Sequence, residues 1–416
     1  MKRIERSIAE KCLGIKSLAL SAVLLLCCLY PSLGYGQTGD ATVDALVEMG
    51  FENVGWTEDD NERVYVLQNS AYRLNGIGIG RAVDVIQSMG LPDKKACRII
   101  VLDNNMPQMS LCYEPIIGDT VPQAERRDWV ASYDLGESWK SVRRAERKNS
   151  SLYKIDVLVY PDLSLKNLVI TQIYQVLFNL SPAIEISLWR GMKLSAQVVI
   201  PVYNDGYGRR AGRVHPGFIT AQQELRLPHN IWLTGTVGLF NNERFGADLR
   251  VKHALEADER FSFEARVGAT ATGRWDGFEW RYGTNVRWTW ALAASFYWPR
   301  RNLESKLSVA QYLLGEKAVR FDMIRHFRYA SIGFYGLKAK GVKANAGFRF
   351  QIALPPYRYK RRGYIPRVMP AGHFGLSYNA GNEQYYYRGY RSTADENFMG
   401  ENSFNPYYIK SEILNF

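Results

Sequence analysis

The sequence predicts a mainly β protein, a transmembrane antiparallel β-barrel of about 12 strands preceded by a small α/β domain. Three observations carry that expectation. From about residue 151 onward the apolar residues recur with a period of two over stretches long enough to cross a bilayer. Between residues 40 and 120 helical and strand periods alternate instead. The chain also opens on a basic, then apolar leader, and no later segment is apolar for long enough to form a membrane helix.

The leader comes first. Lys2, Arg3, Arg6, Lys11 and Lys16 precede an apolar run, Leu18–Tyr30, and then Pro31-Ser-Leu-Gly34-Tyr-Gly36. A basic region, a short apolar core and small residues at −3 and −1 form a signal peptide over 1–36, cleaved after Gly36. A membrane anchor would need a longer apolar core, and neither Cys27 nor Cys28 has the small neighbours that lipidation requires. Residues 1–36 hold five basic and two acidic side chains, so cleavage lowers the formal charge from +12 to +9. Export makes nucleic acid an unsuitable partner for that charge. An exported chain without a membrane helix is periplasmic, secreted or an outer-membrane barrel.

Residues 37–120 read as a periplasmic α/β domain. Val43, Leu46, Val47 and Met49 lie at helical spacing, with Gly50 as a stop. Asn53–Trp56 and Arg63–Gln68 alternate as short strands. A helix follows over Arg81–Met89, closed by Gly90-Leu-Pro92. Arg98–Asp103 and Met109–Tyr113 form a strand pair about Asn104-Asn-Met-Pro107. Cys97 and Cys112 flank that turn almost symmetrically, which allows a disulfide in an oxidising compartment or two separately buried thiols. Gly76-Ile-Gly78-Ile-Gly80 lacks the spacing of a dinucleotide loop and reads as flexible glycines entering a helix. Residues 121–150, with Arg126, Arg127, Arg143, Arg144, Arg147 and Lys148 around Trp129 and Trp139, read as a basic linker or interfacial arm.

Residues 151–416 read as the barrel. Phe261, Phe263, Ala265, Val267 and Ala269 fall on one face, opposed by Ser262, Glu264, Arg266, Gly268 and Thr270. Leu194–Ile200, Ile231–Leu239 and Ala346–Leu354 keep the same beat. Lipid suits the apolar face and an aqueous lumen the polar one. Phe296-Tyr-Trp298, Tyr385-Tyr-Tyr387 and Tyr407-Tyr408 read as interfacial girdles. Turn signals at Asn204-Asp-Gly206, Pro228-His-Asn230 and Asn241-Asn242 separate the strands. The terminal Leu414-Asn415-Phe416 reads as the end of a last strand, of the kind that barrel-assembly machinery recognises.

Catalytic patterns do not emerge. His215, His229, His253, His326 and His373 lie at no metal-ligand spacing, so neither a metal nor another cofactor is expected. There is no G-x-S-x-G elbow, although a Ser–His pair can form in space. Two basic, aromatic-flanked loops stand out: Arg209, Arg210 and Arg213, then Tyr357, Arg358, Lys360, Arg361 and Arg362 with Arg367. Cations beside rings suit an acidic polysaccharide or the phosphates of lipopolysaccharide.

Three stretches resemble the YjbH family of outer-membrane proteins linked to exopolysaccharide biosynthesis. They are Leu46–Val54 with Val64–Arg73 and Gly80–Ile86, then Asn242–Leu249, and then Val309–Gly315 with Gly333–Gly336 and Ile352–Pro356. The resemblance implies a non-catalytic barrel that assists exopolysaccharide export or surface assembly, with a periplasmic module docking export components. Family members are often long enough for two barrels, whereas this chain has room for one. A general porin, or an enzyme acting on glycan or lipid, is the alternative.

Overall fold

The computed structural model describes residues 39–115, 124–167, 174–379 and 389–415. The leader over 1–36 and the Tyr385-Tyr-Tyr387 girdle lie outside the described residues.

The N-terminal domain is a five-stranded sheet in chain order, β1 (Glu52–Glu58), β2 (Glu62–Gln68), β3 (Ala96–Asp103), β4 (Met106–Tyr113) and β5 (Val130–Ser132). Helix α1 (Gly39–Met49) precedes it, and α2 (Asn75–Met89) makes the crossover between the parallel pair β2 and β3. Alternation along the strands feeds two cores. Tyr65, Leu67, Ile99 and Val101 face the helices and pack with Leu46, Ile79, Val83 and Ile86. Val64, Val66, Ile100 and Leu102 face the other way, where Val142, Leu135 and Trp139 cover them. That cover includes the short helix α3 (Ser138–Val142).

The described part of the expected linker is therefore folded structure. Trp129 is fully buried, β5 extends the sheet, and Arg126 pairs with Asp84 of α2. Its basic residues misled the reading because charge density conceals the few apolar anchors that fix such a segment.

The barrel follows. Twelve consecutive antiparallel strands form its wall: β6 (Ile155–Asn167), β7 (Tyr174–Ser187), β8 (Met192–Asp205), β9 (His215–Leu227), β10 (Ile231–Phe240), β11 (Arg244–Ala254), β12 (Phe261–Asp276), β14 (Arg287–Trp298), β15 (Leu303–Gln311), β16 (Lys317–His326), β17 (Ala330–Ala339) and β18 (Asn345–Ala353). The short β13 (Glu279–Tyr282) pairs only with β12. Two further strands, β19 (Arg367–Pro370) and β20 (His373–Asn379), lie at opposite edges of the sheet. β19 pairs parallel to β6 and β20 antiparallel to β18, so Ala371-Gly372 joins the two edges and nearly closes a 14-strand wall. The parallel seam is a matter of parity. After twelve alternating strands, the segment beside β18 must run in the direction of β6.

The register aligns the apolar rows from strand to strand. Val267 sits opposite Leu249 on one side and Trp290 on the other, and Ala265 opposite Val251 and Leu292. Leu249, Val267, Leu292, Leu307, Phe321 and Phe334 are all exposed, forming the outer belt that lipid covers. Trp298, at the end of β14, is exposed as an interfacial aromatic would be. Among the described residues no helix is long and apolar enough to cross a membrane.

The C-terminus departs from expectation. Residues 406–414 form a helix, α5 (Pro406–Leu414), after the short α4 (Phe398–Glu401). The last wall strand is β20, so Leu414 and Asn415 terminate no strand. Tyr407 and Tyr408 are not a girdle: Tyr407 stacks on Tyr297, and Tyr408 is buried against His326. The helix forms because Asn405 caps it through the Tyr407 and Tyr408 amides and Pro406 occupies its first turn.

Candidate functional site

The lumen is filled by the chain itself. The tail enters at the mouth far from the N-terminal domain, where Asn242 donates to the Gly389 carbonyl at 2.7 Å and Tyr390 stacks on Phe240 at 5.4 Å. It leaves at the opposite end, where α5 packs on α2. Between these points its carboxylates meet cations projecting from the inner wall.

Four of those cations share a pattern. Each lies between one carboxylate fixed on the wall and one on the tail. Lys193 is 3.8 Å from Glu185 and 2.7 Å from Asp395. Arg250 is 3.7 Å from Glu264 and 2.9 Å from Glu396. Arg266 is 2.8 Å from both Asp248 and Glu396. Lys306 is 3.6 Å from Glu264 and 3.3 Å from Glu401. Ser392 then donates its amide to Glu396 at 2.8 Å, Tyr390 its hydroxyl to Asp248 at 2.7 Å, and Asn402 its amide to Glu304 at 2.5 Å. Charges taken out of water are tolerable only when paired, and each of these four cations is, although Arg266 Nη2 finds no hydrogen-bond acceptor. A cavity of about 590 Å³ remains beside the tail, lined by Glu185, Arg250, Glu264, Lys306, Glu396 and Glu401 among others.

The N-terminal domain seals the end where the tail leaves. Gln108 donates to Glu224 at 2.6 Å, Trp232 donates to Gln108 at 3.1 Å, and Arg226 lies 3.6 Å over the Trp232 ring. At the turn between β7 and β8, Gly191 adopts φ +75° and donates to the Asn104 carbonyl at 2.8 Å. A Cβ there would lie 2.1 Å from the Glu224 carbonyl, so only glycine fits this close approach.

The two basic loops lie at opposite ends of the barrel. Arg209, Arg210 and Arg213 are exposed at the far mouth, where Arg210 pairs with Glu243 and Arg213 with Asp276 at 2.7 Å. The 357–362 loop lies against the N-terminal domain. Arg73 donates its amide to the Tyr357 carbonyl at 2.9 Å, Tyr359 donates to Ala71 at 2.7 Å, and Arg358 bridges to Tyr72. Lys360 donates to the Glu48 carbonyl. Arg361 is buried between Glu52 at 3.1 Å and Asp156 at 2.6 Å, and Arg362 is exposed. Most of this loop is therefore engaged in fastening the domain to the barrel. A single contact surface joining the two loops does not exist, because they are separated by the height of the wall.

Cys97 and Cys112 are both free. The register places Cys97 opposite Tyr113 and Arg98 opposite Cys112, so the two thiols are one residue out of step and face opposite sides of the sheet. Their symmetry about the turn was misleading because a bulge between Val101 and Leu102 shifts the pairing. Burial pushes both thiols above the ordinary range.

The glycines of Gly76-Ile-Gly78-Ile-Gly80 lie inside α2, where Gly76 and Gly80 face the tail helix and Gly78 faces the Asn69 side chain. A Cβ on Gly76 would stand 2.3 Å from the Glu412 side chain. Glu412 accepts the Gly76 amide at 3.0 Å, supplying the N-terminal cap that Leu74 cannot. Burial nevertheless pushes its carboxyl up to about 7, against the lowering effect of its hydrogen bonds. Lys410 donates to the Arg127 carbonyl at 2.7 Å, and Arg126 donates to the Ile413 carbonyl at 3.2 Å.

One Ser–His pair does assemble in space. Ser331 Oγ is 2.8 Å from His326 Nδ1, and Glu304 lies 3.9 Å from His326 Nε2. Ser331 is wholly buried and the Tyr297 and Tyr408 rings lie beside His326, so in this state the hydroxyl meets no substrate. Among the described residues no group of three His, Cys, Asp or Glu could hold a metal ion.

The lumen charges were visible in the sequence only as the polar half of an alternating strand, as at Glu264 and Arg266. The tail's Asp395, Glu396 and Glu401 gave no signal, since their pairing depends on which strands curl around them.

No family model matches the chain, and no curated protein sequence does. Among solved structures it is similar to OmpTdeltaL8, a loop L8 deletion mutant of OmpT, an outer membrane protein of Vibrio cholerae. The identity is 9%, the match covers 48% of this chain and 85% of that one, and the TM-score is 0.26. The class defined by this chain's own faces is a transmembrane β-barrel, sealed at one end by an α/β domain and filled by its own C-terminal segment.

Proposed function

We propose that this protein resides in an outer membrane and assists the export or surface assembly of an exopolysaccharide without catalysing a reaction. Its N-terminal domain lies in the periplasm and docks export components there. The observation that carries this reading is the charged inner wall enclosed by an apolar belt, a polar route through an otherwise impassable layer. Arg209, Arg210 and Arg213 at the far mouth supply exposed cations for an acidic glycan, whereas the Arg361 side chain is buried at the domain interface and Tyr357–Lys360, though exposed, are tied to the N-terminal domain. A freely open porin is disfavoured by the tail that crosses the lumen.

The test is deletion of the gene with surface polysaccharide as the readout. Loss of surface or secreted polysaccharide, restored by the intact gene, supports the reading; unchanged polysaccharide overturns it. The Ser331–His326 pair favours a second reading, an enzyme on glycan or lipid. That reading requires Ser331→Ala to fail in complementation, whereas the non-catalytic one expects it to succeed.

A further inference from the structure

We propose that the inner wall carries a binding track for an acidic polysaccharide, occupied in this state by the carboxylates of the chain's own tail. The choice of a polysaccharide rests on the function proposed above; the track itself rests on the lumen's geometry. Along this stretch the wall presents Lys193, Arg250, Lys252, Arg266 and Lys306 against Glu185, Asp248, Glu264 and Glu304. The wall alone is thus cationic, and Asp395, Glu396 and Glu401 of the tail reverse that balance. The tail's groups are carboxylates spaced along one chain, which is the chemistry of a polymer of uronate-type sugars.

The doubled partners make exchange feasible. Removing one member of a buried ion pair is costly because it strands the other. When the tail leaves, Lys193 keeps Glu185, Arg266 keeps Asp248, and Arg250 and Lys306 share Glu264, so each retains a wall carboxylate within 4 Å. An incoming carboxylate takes the tail's place beside each cation. The residual cavity lies along the same groups and gives such a chain space to enter. Apolar contacts oppose release only modestly within the lumen, where Ala394 packs with Tyr160 and Phe218 and Phe398 lies against Arg349.

Planar-bilayer recording on the full chain tests this, alongside two variants. One combines Asp395→Asn, Glu396→Gln and Glu401→Gln; the other lacks residues 389–416. Because the deletion also removes Ile409 and Ile413 from the domain core, the neutralised variant guards against misfolding, and heat-modifiable migration checks both barrels. The expected result is a rise in conductance on the order of tenfold in at least one folded variant, with anions preferred over cations. Polygalacturonate blocks that current and neutral dextran of similar size does not. Folded variants with wild-type conductance, a preference for cations, or equal block by dextran would each overturn the proposal. A polysaccharide phenotype plays no part in the recording, so failure of the track and failure of the proposed function are separately visible.

Discussion

Glu412 is where burial and a helix terminus act on one carboxyl. The α2 amide favours its anion, while the surrounding apolar contacts disfavour it more, leaving it pushed up to about 7. A carboxyl whose folded value lies above its unfolded one stabilises fully below about pH 4.5, and that contribution is lost as pH rises through about 7. Docking of α5 should therefore loosen between about pH 4.5 and 7, the span of those two values. The protection factors of the α5 amides, corrected for the intrinsic exchange rate, should fall over that range in the wild type and stay level in Glu412→Gln. Arg361 makes a second prediction at this scale. Replacing it by Ala leaves Asp156 to Arg367 and Glu52 to Lys154, with a guanidinium-sized void between. Because neither carboxylate is stranded, the domain's attachment should weaken by only about 2 kcal/mol, seen as earlier proteolysis of the N-terminal domain on heating. The thiols make a third. Cys97 should react with a maleimide only after unfolding, Cys112 slowly before it, and no disulfide should appear between them on oxidation. Fast native labelling of Cys97 would contradict the assigned register.

At the scale of elements, the wall was legible because a strand writes its two faces directly into alternate residues. Phe261–Ala269 needed no tertiary information to be placed, and the structure orients it as the pattern requires. The face assignment has a measurable consequence. Leu292→Arg, on the lipid side of β14, should cost about 2–4 kcal/mol in a membrane or micelle, and Ser295→Arg, which lines the lumen cavity, considerably less. Denaturant titration followed by gel migration separates the two, and equal costs would mean that the faces are misassigned. The helices were less legible. α2 begins at Asn75 rather than near Arg81, and its first two turns alternate glycine, a poor helix former, with isoleucine; Gly76 is required there by the approach of Glu412. α5 was read as a strand end because aromatic residues near a C-terminus suit both structures. Only its Asn405-Pro406 start signalled a helix.

At the scale of the molecule, the sequence supported a domain, a linker and a barrel in series, whereas the structure interlocks them. The stretch expected to be a spacer completes the domain, and the stretch expected to complete the wall crosses the lumen and enters the domain's core through Ile409 and Ile413. Neither arrangement could be read from periodicity, since the first depends on pairings such as Ser110 with Ser132 and the second on contacts hundreds of positions apart, such as Gly76 with Glu412. The parallel seam between β19 and β6 has a consequence for how such an object is made. The final wall strand is an internal segment, and the residues that follow it in the chain lie innermost. A wall that shut first would have to be threaded afterwards by its own end, through a space crowded with charge. Assembly therefore favours the opposite sequence of events: the segment that follows the wall anchors on the domain that precedes it, and the sheet is wrapped around that segment as around a mandrel.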